Sequence, residues 1–122
     1  MKQSLIALMF LSAAILTGCG QEQNAKKVIS NFLNENLNDP DFSDISYGKL
    51  DSTIYITDSI VQVMHQQADT MHAFKPKAPY MKGRDSDKLL FMTVKFKQKD
   101  EKHAYTFYFD HKIQGILAFK RN

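Results

Sequence analysis

The sequence contains a single cysteine, Cys19, among its 122 residues. One thiol cannot close a disulfide within the chain, so the fold has to rest on its hydrophobic core alone. No serine stands in a G-x-S-x-G nucleophile elbow, and no internal repeat or low-complexity segment is present. These absences leave the sequence without a signature of nucleophilic catalysis.

The net charge of the chain is also small. Sixteen lysine and arginine residues against thirteen aspartate and glutamate residues give a formal charge of +3. A nucleic-acid-binding domain typically has a much stronger basic excess, gathered on one face. Most of the lysines here alternate with apolar or acidic residues, which is typical of a solvated surface. We therefore expect no nucleic-acid partner.

The first residues have the features of a secretory signal peptide. Lys2 supplies a positive start, and the twelve residues "LIALMFLSAAIL", Leu5–Leu16, carry no charge. As a helix, a segment of this length spans about 18 Å, well short of the hydrocarbon core of a bilayer, which is about 30 Å thick. The segment therefore predicts a cleaved signal peptide rather than a transmembrane helix.

The sequence Leu16-Thr17-Gly18-Cys19 follows this run and resembles the lipobox of bacterial lipoproteins: a branched apolar residue, two small residues and a cysteine. The resemblance implies a diacylglycerol on the Cys19 sulfur, cleavage just before Cys19 and an N-acyl chain on the new amine. Two or more acyl chains would hold the protein on a membrane without a spanning helix. The alternative is an ordinary signal peptide that is cut near Gly18.

Processing at this cysteine would divide the chain into three parts. Residues 1–18 would be the signal peptide, residues 19–24 a lipidated polar tether, and residues 25–122 a single globular domain. By the same resemblance, Gly20 in place of an aspartate after the lipidated position favours the outer membrane of the cell envelope over the inner membrane. Apart from the covalent lipid on Cys19, no cofactor is expected.

Two stretches of the mature chain have the periodicity of amphipathic helices. The first covers residues 25–37, with Asn24 as its N-cap and Pro40 beyond its end. The second covers residues 59–74, with Asp58 as its N-cap.

The remaining segments predict strands. Short strands are expected within residues 42–57, and longer ones over residues 89–97, 104–109 and 113–119. Helices that come first and an antiparallel meander that comes last indicate an α+β fold, with two amphipathic helices packed on a small antiparallel sheet. A sheet curled over one long helix would be cystatin-like.

Two short motifs add a second, looser resemblance. "NDPD" after the first helix and "FYFD" in the closing hairpin look like parts of small uncharacterised envelope lipoproteins of bacteria. This resemblance implies a fold and an envelope location, and it implies no reaction.

One cluster on the second helix has metal-ligand character. His65, Asp69 and His72 lie within about 60° of one another around a helix, and two imidazoles with a carboxylate could bind zinc. The alternative is that this stripe, opposite the apolar face of the helix, is simply solvated. We expect no metal, and keep these three residues as the candidates if there is one.

Strand alternation also predicts a possible contact surface. If alternate residues of the last strands face the helices, Phe91, Lys95, Tyr108 and Ile116 point the other way. Several apolar side chains on neighbouring strands would form a patch that could meet an envelope protein or a second copy in a weak homodimer. The alternative is that a helix or a loop covers this face and makes it ordinary core.

Three classes of function are compatible with these features. The favoured one is a membrane-anchored interaction or accessory domain of the cell envelope without catalytic activity. The second is a domain that binds a small ligand in the hollow between the sheet and its helix. The third is a metal-dependent enzyme that uses His65, Asp69 and His72.

Overall fold

The computed structural model describes residues 20–122, which contain two helices and a five-stranded antiparallel sheet. Helix α1 covers residues 20–36 and helix α2 covers Asp58–Asp69. The strands are β1 (Ser43–Tyr47), β2 (Asp51–Thr53), β3 (Leu89–Gln98), β4 (Glu101–Phe109) and β5 (Ala118–Arg121). The predicted α+β class is confirmed. The predicted signal peptide and Cys19 lie outside the described residues, so cleavage and lipidation stay predictions.

Strand β3 is the centre of the sheet. It pairs with β4 along its whole length, while β1 pairs with its later half and β2 with its first residues. Strand β5 then pairs with β4, which completes the predicted C-terminal meander. Lys99 and Asp100 form the two-residue turn between β3 and β4, and both have positive φ, at 50° and 66°. Two positive φ values in succession are what a type I′ hairpin turn requires.

Helix α1 packs on one face of the sheet. Its apolar positions recur at helical spacing, and Ala25, Ile29 and Leu33 are fully buried. The Phe32 ring meets the rings of Phe107 and Phe119 edge to face, with centroid separations of 5.9 and 5.4 Å. This face of the sheet, with α1 on it, forms the main core.

Helix α2 builds a second, smaller core. Val61 and Met64 cluster with Leu89, Tyr108 and Ala118. Strand alternation places these last three side chains on the face opposite α1, so α2 covers the part of the second face near β5. The rest of that face is not covered by either helix.

The direction of α1 defines two ends of the molecule. Near its start, the Asn24 amide donates to the Ile113 carbonyl in the connection between β4 and β5. Just beyond its end, the Asp39 carbonyl accepts from the side chain of Gln98, at the β3–β4 turn. We call these the proximal end and the hairpin end; the helix between them is about 25 Å long.

Several boundaries differ from the sequence predictions. Residues 20–24, predicted as tether, are helical, and Asn24 lies inside α1 rather than at its N-cap. The N-cap of α2 is Thr57, whose hydroxyl accepts from the Ile60 amide at 3.2 Å. Helix α2 also ends earlier than expected, where the Thr70 hydroxyl bonds back to the Gln67 carbonyl at 2.7 Å.

Strand β5 begins five residues later than the predicted strand over residues 113–119. Residues 110–117 instead form an irregular connection in which Ile113 has φ 50°. Ile113 and Leu117 are both buried there, so their apolar character reflects packing against the two cores rather than a place in the sheet.

Candidate functional site

The three metal candidates do not converge: His65 and Asp69 lie on α2 and bond to other groups, and His72 lies beyond the end of α2. His65 is half-buried; its Nε2 lies 2.7 Å from the Leu117 carbonyl and its ring stacks on Tyr80 with a centroid separation of 3.8 Å. Because a carbonyl only accepts, Nε2 carries the proton and donates. Asp69 accepts from the Lys77 amide at 2.8 Å, while His72 is exposed.

These contacts leave no assembled metal site on α2. Within residues 20–122, no three histidine, cysteine, aspartate or glutamate side chains converge as metal ligands. The expectation that the whole stripe faces water is wrong for His65, because Tyr80 from the following loop stacks on it.

Tyr80 itself is the most perturbed titratable group of this region. Burial, helped by the negative charge of Asp69, raises its pKa from 10.0 to about 12. Its hydroxyl is buried and has no hydrogen-bond partner in the described part of the chain. The ring thus serves as an apolar platform for His65 and for Phe32, whose centroid lies 6.3 Å away.

Two of the four residues of the predicted contact surface are buried. Tyr108 and Ile116 are only 5% and 2% exposed. Tyr108 is covered by the apolar face of α2, and Ile116 joins the main core from the β4–β5 connection, where its carbonyl accepts from the Met81 amide at 2.9 Å. Phe91 is half-buried beside Tyr108, and of the four predicted residues Lys95 alone is exposed.

A different surface is open on the uncovered half of the sheet. A hollow of about 520 Å³ lies there, at the hairpin end. Its lining consists of Asp44, Lys95, Phe96, Lys97, Lys102, His103, Ala104 and Asn122. We call it the lysine hollow.

The register of the sheet explains the shape of the lysine hollow. Lys95 on β3 stands opposite Ala104 on β4, and Lys97 stands opposite Lys102. Ala104 has only a methyl group, so it forms a low floor between longer neighbours. On the far side, the backbone amide of Asn122 donates to the Ala104 carbonyl at 3.0 Å, which brings Asn122 beside this floor.

The lysine hollow has an excess of positive charge. Lys97 pairs with Asp44 at 3.6 Å. Among residues 20–122, Lys95 and Lys102 have no carboxylate within 4.0 Å, and neither does Lys120 on the neighbouring strand β5. Three ammonium groups therefore lie on one face without a partner in the described structure.

A short polar chain extends this surface. The Thr106 hydroxyl donates to the Asn122 side-chain oxygen at 2.7 Å and lies 3.0 Å from the Thr93 hydroxyl. The side-chain NH₂ of Asn122 has no acceptor among the described residues, so it stays available as a donor. Lysines and this amide thus give the face mainly hydrogen-bond donors.

Exposed apolar side chains gather at the opposite, proximal end. Ile54 and Tyr55 follow β2 directly and are 63% and 79% exposed. The segment is fixed on its far side by Arg84, which donates to the Ile56 carbonyl and pairs with Asp58 at 3.3 Å. Two large apolar residues are therefore held out in solvent by an anchored turn.

Sequence reasoning missed the lysine hollow. Lys95 and Lys97 stand two residues apart in a strand, and this spacing indicates one basic face. The contributions of Lys102 and Asn122 depend on strand register and were not accessible from periodicity.

No helix within the described range 20–122 combines the length and the apolar character that a membrane span needs. Comparison of the chain with protein-family models, with curated proteins and with solved structures finds no match.

Proposed function

We propose that the protein is a lipid-anchored accessory domain of a bacterial cell envelope, attached through Cys19 to the outer membrane and without catalytic activity of its own. The lipobox-like sequence Leu16-Thr17-Gly18-Cys19 supports the anchor. The observation that carries the proposal is the place of the exposed Ile54 and Tyr55, at the same end of the sheet as the start of α1.

The position of Cys19, directly before α1, determines which end of the domain would face the membrane. Helix α1 is already formed at Gly20, the residue after Cys19, so acyl chains on Cys19 would bring the proximal end to the bilayer surface. Tyrosine is well suited to the membrane interface, because its ring is apolar and its hydroxyl is polar. Full burial of a large apolar side chain is worth about 1.5–3 kcal/mol, so partial insertion of Ile54 and Tyr55 would orient the domain.

The alternative of a ligand site between sheet and helix finds no support in the geometry. Phe32, Phe107 and Phe119 fill that space with mutually packed rings. The enzyme hypothesis lacks an assembled site in residues 20–122, as His65 and Asp69 are bonded elsewhere.

The anchor is tested with membrane fractions and mass spectrometry. The wild-type protein should float with membranes in a density gradient, and its first peptide should carry the mass of a lipidated Cys19. The Cys19→Ala variant should leave the membrane fraction or retain its first 18 residues. A wild-type mature protein without lipid would refute the proposal.

Orientation is tested on lipidated protein reconstituted into vesicles. A polarity-sensitive fluorophore on Tyr55→Cys should be quenched by spin-labelled lipids, whereas the same fluorophore on Glu101→Cys, at the hairpin end, should not. Both positions are exposed, so neither substitution disturbs the core. Equal quenching at the two positions would contradict the proposed orientation while leaving the anchor intact.

A further inference from the structure

We propose that the lysine hollow is the binding site for an extended acidic segment of a partner protein. The site lies on strands β3 and β4 at the hairpin end, with Lys95 and Lys102 on its two sides and Ala104 as its floor.

The lysine hollow brings like charges together on neighbouring strands. Lys97 and Lys102 stand directly opposite each other on neighbouring strands, and like charges in that position destabilise a sheet. Asp44 neutralises Lys97, but Lys102 and Lys95 have no carboxylate partner among the described residues. A ligand that brings carboxylates to this face would relieve a repulsion that the fold itself leaves in place.

The shape of the lysine hollow favours a chain segment over a small anion. The hollow has about 520 Å³ and is open to solvent. Lys95 stands on β3, and Lys120, outside the lining of the hollow, stands two strands away on β5, so these strands are separated by about 10 Å. An extended peptide can offer alternate carboxylates to ammonium groups spread over this face, whereas one small anion neutralises only those that converge on it.

The lysine hollow lies far from the proximal end. Lys95 comes six residues after Leu89, so it lies about 20 Å along β3 from the proximal end. If the domain is anchored as proposed above, this distance exceeds the Debye length of about 8 Å at physiological salt. The lysine hollow would then face the aqueous phase, where it would meet a protein rather than lipid headgroups. The charge and the shape of the lysine hollow do not depend on the anchor.

The test measures binding of a fluorescein-labelled oligoglutamate peptide to the purified full-length mature protein in a non-ionic detergent, by fluorescence anisotropy. A length-matched oligoglutamine peptide is the ligand control. The glutamate peptide should bind with an affinity that falls as salt rises, and the glutamine peptide should not bind. The assay works with lipidated or unlipidated protein, so its failure is distinguishable from failure of the proposed anchor.

Charge-reversal variants locate the site. Lys95→Glu combined with Lys102→Glu should weaken binding about tenfold or more. Lys82→Glu combined with Lys112→Glu changes the net charge equally at exposed positions outside the hollow, and should weaken binding less than about twofold. Equal losses in the two variants would overturn the proposal, because binding would then follow net charge alone.

Two further measurements guard against a folding artefact and a small-anion site. Backbone amide NMR shifts on addition of the glutamate peptide to wild-type protein should concentrate at Lys95, Ala104 and Asn122. Shifts concentrated at the proximal end would overturn the proposal. Displacement of the peptide by inorganic phosphate at matched charge concentration and ionic strength would also overturn it, since the hollow would then bind a single small anion.

Discussion

Tyr80 and His65 form the closest pair of stacked rings in the described structure, with centroids 3.8 Å apart. Their rings are nearly parallel, at 10°, and His65 is held in place by its bond to the Leu117 carbonyl. Tyr80 contributes an apolar face but leaves its hydroxyl without a partner. The pair therefore joins α2 to the loop before β3 by stacking, and the tyrosine hydroxyl adds nothing to that stability.

Tyr80→Phe should make the protein less sensitive to alkali. The pKa of Tyr80 is about 12 in the folded chain and 10.0 unperturbed, so between these values the unfolded chain releases a proton that the folded chain keeps. The free energy of unfolding is therefore unaffected by Tyr80 ionisation below pH 10 and decreases as the pH rises towards 12. The phenylalanine variant has no such proton, so its free energy of unfolding should decrease less. Denaturant unfolding of both proteins at pH 9 and about pH 11 measures the difference.

At pH 8 the same variant should be as stable as wild type or more stable by up to about 1 kcal/mol, because a buried hydroxyl without a partner costs free energy. A clear loss of stability at that pH would mean that the hydroxyl has a partner in solution.

His65→Ala should lower the free energy of unfolding by about 1–3 kcal/mol, because it removes a half-buried hydrogen bond and a ring stack. His72→Ala is the matched control; its side chain is exposed, and the change should stay within about 0.5 kcal/mol. Thermal melts with and without zinc complete the test. A zinc-dependent rise in Tm that requires both histidines would revive the metal hypothesis.

Among the elements, the corner between β1 and β2 approaches the backbone of β3 closely. The Gly48 amide donates to the Thr93 carbonyl at 2.7 Å, and a Cβ added at Gly48 would meet that same oxygen at 3.0 Å. This close approach lets the chain leave the later half of β3 and return as β2 on its first residues.

Gly48→Ala should destabilise the protein by about 1–2 kcal/mol, because the added methyl group presses on a backbone oxygen that cannot turn away. Ser46→Ala on the neighbouring strand is the control and should be near neutral, since Ser46 is exposed. Chemical denaturation with urea measures both. An unchanged midpoint for Gly48→Ala would show that the corner relaxes without cost.

Sequence periodicity located the two long strands. Strand β3 matches the predicted segment 89–97 to within one residue, because its buried side chains alternate from Met92 to Phe96. Strand β4 contains the predicted segment 104–109 but begins three residues earlier, and residues 105–109 are buried on both faces. The segment 113–119 has the same apolar pattern, yet Ile113 is buried in an irregular connection. An alternating apolar pattern indicates which residues are buried. It does not show that they belong to a strand, because residues outside the sheet are buried too.

The candidate sites were harder to predict, because they depend on contacts between distant segments. The helical wheel placed His65 and Asp69 together correctly, but the ring that covers His65 comes from Tyr80, fifteen residues later. Alternation placed Tyr108 on the second face correctly, but nothing local indicates that α2 covers it. The lysine hollow likewise requires the pairing of Lys97 with Lys102 across the hairpin.

At the scale of the whole molecule, the two ends differ in chemistry. The proximal end displays the exposed side chains of Ile54 and Tyr55, and the hairpin end carries the lysine hollow. Helix α1 connects the two ends along the main core and fixes the distance between them. In the proposed arrangement, the proximal end would contact the bilayer, and the hairpin end would be accessible to a partner protein.

Ile54→Ser combined with Tyr55→Ser should loosen the orientation of the anchored domain without releasing it. The loss of interfacial contact is worth about 1 kcal/mol for each half-inserted side chain, whereas the acyl chains would still hold the protein. Energy transfer from a donor on Glu101→Cys to acceptor lipids should then show a broader distance distribution.

Gln62→Ser combined with Gln66→Ser is the control for this measurement. Both glutamines are exposed on α2 and polar already, so the distance distribution should match that of wild type. If the variant with serine at positions 54 and 55 also gave the wild-type distance distribution, the side chains of Ile54 and Tyr55 would not contact the membrane.

The irregular pairing of β1 has a consequence for crowding. Its register on β3 shifts between Ser43 and Ser46, and Asp44 between them has φ 54° and an exposed carboxylate. A long, flat outer strand would offer unpaired amides and carbonyls to a neighbouring copy, and confinement to a surface would raise the frequency of such encounters. The bend at Asp44 and its negative charge interrupt this row of unpaired backbone groups. Natural edge strands are commonly protected in the same way. If the protein is anchored as proposed, copies packed side by side on the membrane would therefore resist joining their sheets into aggregates.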